Sequence, residues 1–61
     1  MKKFTFTLYI NNVSSYTQVI EANNAEQAEK YWKIALLLLR KQIKKAEKAG
    51  IEVSYTYEEK N

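Results

Sequence analysis

Two pairs of carboxylates and one run of cations are the residues of this chain whose types and spacing could do chemistry. Glu26 and Glu29 stand three apart, and Glu58 and Glu59 are adjacent. A close carboxylate pair can divide the work of general acid and base when burial or repulsion separates the two pKa values. Neither pair has that setting. Glu26 and Glu29 open an apolar-periodic segment, where acids complement the positive end of a helix. Glu58 and Glu59 sit in the terminal EEKN, which is expected to fray. With no cysteine and no histidine, the chain lacks thiolate or imidazole metal ligands, a cysteine nucleophile and the commonest general base. Its one glycine, Gly50, makes no phosphate-cradling loop. The expectation is a non-enzyme with no catalytic residue, no metal, no cofactor and no small-molecule ligand.

The cations are concentrated. The segment RKQIKKAEKAG sets Arg40, Lys41, Lys44, Lys45 and Lys48 against one carboxylate, Glu47. The formal net charge of +3 therefore belongs to one helix end, and the rest of the chain is slightly acidic. Such a cluster is the footprint of phosphate contact, which makes nucleic acid an alternative partner through these five residues. The preferred reading is that it complements the negative end of a helix dipole in solvent.

The elements that must hold these residues are legible from periodicity. KFTFTLYI alternates, with Phe4, Phe6, Leu8 and Ile10 on one face and Thr5, Thr7 and Tyr9 on the other, so it predicts a half-buried strand. NNVSS is turn chemistry. YTQVIEA is a second strand, preferred with Tyr16, Gln18, Ile20 and Ala22 inward, although the register that buries Val19 stays open. Asn23 or Asn24 caps a helix from Ala25 to Lys48 or Ala49, and Gly50 stops it. IEVSYTY is the third strand, with Ile51, Val53, Tyr55 and Tyr57 inward. The order ββαβ predicts one α+β domain over residues 1–61. Its three-stranded antiparallel sheet has order 2-1-3, with one long helix packed on one face. The open face would show Thr5, Thr7, Tyr9, Thr17, Val19, Glu21, Glu52, Ser54 and Thr56, with too few aromatics for an RNA-stacking platform.

The helix contains four consecutive leucines, Leu36 to Leu39, which sweep round most of its circumference. Ala28, Trp32, Ala35, Leu36, Leu39, Ile43 and Ala46 share one arc and should face the sheet. Leu38 is expected at the margin of the core, beside Tyr31. Ile34 and Leu37 have no place in it. Tyr31, Ile34, Leu37 and Leu38 then form a contiguous apolar patch, rimmed by Lys41 and other cations, of the kind that marks an interaction surface. A helix of about 24 residues is roughly 36 Å long, against roughly 23 Å for strands of about seven residues. It must overhang the sheet or bend, and an overhanging C-terminal end would be a basic prong. Two outer strands with open edges supply another route to dimers, through a continuous sheet.

A chain of 61 residues is marginal as an isolated core, so a homodimer or protein partner is expected. MKKFTFTLYI alternates rather than forming a signal-peptide apolar run, and nothing approaches the length of a membrane span. A cytoplasmic protein without membrane contact is the expectation. The junction VIEANNAEQAEKYW resembles that of small ββαβ domains of phages and mobile elements, the DpnD/PcfM-like domains among them. There a strand ends in an inward Ala, an Asn caps, and an Ala-x-x-Ala helix begins. In size and style the chain is also similar to phage inhibitors of the anti-CRISPR type. The resemblance implies a stoichiometric inhibitor of a host protein and carries over no functional residue. A nucleic-acid-binding accessory protein and a designed scaffold without function are the alternatives.

Overall fold

The computed structural model describes residues 1–60. Strand β1 (Lys2–Ile10) turns into β2 (Val13–Ala22). Helix α1 (Ala25–Leu36) passes through a 3-10 turn at Leu37–Leu39 into α2 (Arg40–Lys48). Strand β3 (Val53–Lys60) completes the chain. The sheet order is β2-β1-β3 with both pairings antiparallel, the ββαβ arrangement expected from periodicity.

The hairpin explains how β2 chooses its face. Asn11 and Asn12 form a two-residue turn, with φ 56° and 62°, a left-handed geometry that Asn tolerates. Val13 to Ser15, expected in the turn, already belong to β2. The tight turn pairs Ile10 with Val13 and Tyr9 with Ser14. Continued unbroken, that register would put Ser15, Thr17, Val19 and Glu21 opposite the inward residues of β1. A bulge intervenes, and Leu8 pairs with Tyr16 instead. Ser15 is the extra residue, and its Oγ donates to the Val13 carbonyl at 3.0 Å. Beyond it Phe6 faces Gln18, Phe4 faces Ile20 and Lys2 faces Ala22. One added residue thus moves the whole of β2 from one face to the other.

The helix is bounded by local hydrogen bonding. Of the two candidate caps, Asn24 serves: its Oδ1 accepts from the Gln27 amide at 2.8 Å, while Gln27 Oε1 accepts from the Asn23 amide at 2.8 Å. The first satisfies a donor that the first helical turn leaves free, and the second ties the residue before the cap to that turn. At the other end Gly50 adopts φ 75°. Its amide donates to the Glu47 carbonyl at 3.0 Å, and the Ile51 amide donates to Ala46 at 2.9 Å. This pair of bonds is a Schellman closure, which needs the left-handed residue. It occupies Ile51 in the helix stop. The expected inward strand position of Ile51 is therefore corrected: it lies before β3 and is exposed. Conversely, Glu58 to Lys60 of the EEKN expected to fray pair with Thr5, Phe4 and Lys3; Asn61 lies outside the described residues.

The core is Phe4, Phe6, Leu8, Ile20, Ala22, Ala28 and Trp32, with Leu36, Leu39 and Ile43 packed against it. Trp32 is its centre. Its ring stacks on Phe6 at 5.0 Å and on Tyr16 at 5.9 Å, and meets Tyr55 at 5.9 Å. The 3-10 turn keeps both halves of the long helix seated, since Ala28 and Trp32 are buried before it and Ala46 after it. A strand sheet twists, and a straight helix of this length would leave it. The basic end is consequently no prong. It docks through Ala46 and Ile43 alone, and the other residues of α2 are exposed.

Candidate functional site

The apolar flank of the helix follows from the same geometry. A lone helix on a three-stranded sheet buries one stripe and has no neighbouring helix to wall its sides. Tyr31 is 46% exposed, Ile34 62%, Leu37 61% and Leu38 88%. Their spacings of three and four residues set them beside one another. Leu38 was expected at the core margin, and this is corrected: it is the most exposed of the four leucines. A sideways-pointing residue is buried only where a second element flanks it, and none does. Leu36 and Leu39, expected in the core, pack against it while keeping part of their surface in water. Lys30, Lys33, Arg40, Lys41 and Lys44 are all exposed around the patch.

The five cations Arg40, Lys41, Lys44, Lys45 and Lys48 are exposed along α2. Among the described residues the one ion pair lies elsewhere, between Lys2 Nζ and Glu59 Oε2 at 3.5 Å. The α2 cations therefore have no carboxylate partner among the described residues, and they line the outer side of a docked helix.

The carboxylate pairs do not assemble into a site. Glu58 and Glu59 are neighbours in β3, so their side chains leave opposite faces of the sheet. Glu26 lies in the first turn of α1, where it complements the dipole. A shallow depression lined by Asn24, Glu26, Gln27, Lys30 and Tyr31 opens beside it, and every lining residue comes from the helix and its cap. Among the described residues no three of His, Cys, Asp and Glu stand close enough to hold a metal ion. Among the described residues no helix is long and apolar enough to cross a membrane.

The inward tyrosines of β3, Tyr55 and Tyr57, close the rim of the core. They face the helix side, with Tyr57 stacked on Phe6 at 5.1 Å and touching Phe4 edge-on at 6.0 Å. Yet Tyr55 stays 37% and Tyr57 41% exposed, because the strand is the outermost of the sheet. The available signal was the alternation itself, which marks a face and is silent about how much of that face a helix covers.

Comparison with family models, curated proteins and solved structures finds no match to this chain. Function has to be read from its surfaces.

Proposed function

We propose that the chain is a non-catalytic protein-binding module. Its working surface is the outer flank of the helix, with Tyr31, Ile34, Leu37 and Leu38 at the centre and Lys41 on the rim. One observation carries this reading: four large apolar side chains at interlocking helical spacing are all about half exposed or more. Scattered apolar residues on a surface are ordinary, whereas a contiguous patch with a charged rim characterises interfaces. The cationic rim selects a partner presenting an apolar groove with acidic edges. The finer form of the reading is a stoichiometric blocker of a host protein. It rests on the resemblance of the chain's size and strand–helix junction to small phage proteins.

Leu37→Lys tests the reading. The position is exposed, so the folded monomer should change by less than about 0.5 kcal/mol. A complex built on the patch should be lost, because it would bury an unpaired ammonium. Leu36→Lys should unfold the protein, since Leu36 packs against the core. Thermal melts and a pull-down with both variants read the two effects. Retention of every partner by Leu37→Lys would refute the patch.

A second reading, a nucleic-acid-binding accessory protein, is favoured by the exposed cations of α2, which have no carboxylate partner among the described residues. Phosphate-driven binding would weaken steeply with salt, and an apolar interface would not.

A further inference from the structure

We infer that β3 is a self-pairing edge, through which two copies of this chain join into one continuous six-stranded sheet, antiparallel and centred on Thr56. The proposal goes beyond the helix-face reading and uses different residues.

The two edges of the sheet are not equivalent. On β2 the bulge at Ser15 bends the strand, and the Ser15 hydroxyl already occupies the Val13 carbonyl. Bulges of this kind protect an edge from further pairing. β3 carries no such device. It pairs with β1 without a break from Val53–Ile10 to Lys60–Lys3, and it contains no proline. Its outer side faces no strand. The outward-pointing backbone donors and acceptors of a regular, eight-residue strand, those not used by β1, are therefore presented to solvent.

The occupant follows from the side chains. A two-fold axis perpendicular to the sheet keeps the helix face of both copies on the same side. Residues directly opposite must then share a face. Centred on Thr56, Tyr55 of each copy faces Tyr57 of the other, so the two half-exposed tyrosines cover one another twice. Aromatic pairs of this sort are among the favourable cross-strand contacts. Ser54 faces Glu58, Val53 faces Glu59, and Lys60 reaches the level of Glu52. No like charges are opposed. Shifting the axis to Tyr55 sets Glu52 against Glu58. Shifting it to Tyr57 takes both Tyr55 rings off tyrosine and places them against Glu59. The strand is thus complementary to itself in one register, in charge and in aromatic surface. Both helix patches would emerge on the same side of the joined sheet, giving a bivalent surface.

The chain has no cysteine, so single introduced cysteines report the register. In the proposed pair Thr56→Cys lies opposite itself, within roughly 5 Å between β-carbons. Ser54→Cys and Glu58→Cys are each displaced from their own copy by four positions, roughly 14 Å. Mild oxidation should give covalent dimer for Thr56→Cys and little for the other two or for Leu37→Cys. Sedimentation across a concentration series supplies the second measurement. Wild type should dimerise. Thr56→Lys, which opposes two ammonium groups, should weaken the dimer roughly tenfold or more, while Ser54→Lys, which meets Glu58, should tighten it. Far-ultraviolet circular dichroism checks that these exposed substitutions leave the monomer folded. A wild type that stays monomeric, or faster cross-linking at position 54 or 58, would overturn the proposal. So would a dimer that survives Thr56→Lys and is lost in Leu37→Lys, an outcome that would leave the helix-face reading standing.

Discussion

At the scale of single residues, Trp32 carries more of the fold than any other side chain. It is fully buried and in aromatic contact with residues of all three strands, Phe6, Tyr16 and Tyr55. Its Nε1 is buried without an acceptor. Leaving a donor unpaired costs free energy, so the site retains tryptophan for its volume and its π-surface rather than for a hydrogen bond. Trp32→Ala should cost about 3–5 kcal/mol, enough to threaten a domain whose total stability is of that order. Trp32→Phe should cost distinctly less, since it loses part of the stacking surface and also removes the unpaired N–H. Denaturant titration of the two variants separates these effects; equal losses would mean that the indole N–H has an acceptor.

At the scale of elements, the bulge on β2 decides which residues become core. The two-residue Asn11–Asn12 turn enforces a register, and the pattern of β2 demands the opposite one beyond Tyr16. Ser15 reconciles them. Deleting Ser15 should therefore be far more damaging than its exposure suggests. It would either turn Tyr16, Ile20 and Ala22 to solvent or distort the turn. Ser15→Ala should be nearly neutral, because it removes only an exposed hydroxyl contact to Val13. The check is a pair of melts: loss of the cooperative transition in the deletion, and a transition close to wild type in the alanine variant. A deletion that melts like the parent would show that the register does not depend on the extra residue.

At the scale of the whole molecule, charge and apolar surface are laid on the same helix in different places. The apolar patch spans Tyr31 to Leu38, ending within the 3-10 turn, and the cations continue along α2. Replacing Lys41, Lys44, Lys45 and Lys48 with Gln should leave the fold and any self-association through β3 intact, because these residues are exposed and lie outside both. The same variant should lose retention on DNA or RNA at low salt if phosphate contact is the role of α2. Unchanged retention would remove the cations from that role.

Periodicity and turn chemistry determined a great deal by themselves. The alternation of Phe4, Phe6 and Leu8, the Asn before the helix and the Gly after it specify ββαβ. They also name most of the core, because the periods of strand and helix and the needs of helix ends are local properties. The outward place of Ile34 and Leu37 was equally legible, since a wheel shows which positions one sheet cannot reach. The face of β2 was legible as a preference, since Ile20 and Ala22 are inward and Val19 is exposed as expected; the bulge that produces that register was not, because only pairing with β1 reveals it. Nor was the placement of Leu38, or how much of Tyr55 and Tyr57 a helix would cover. A residue's direction is set locally, but its burial depends on whether another element stands beside it. That is a fact about neighbours distant in the chain, and only the assembled sheet and helix decide it.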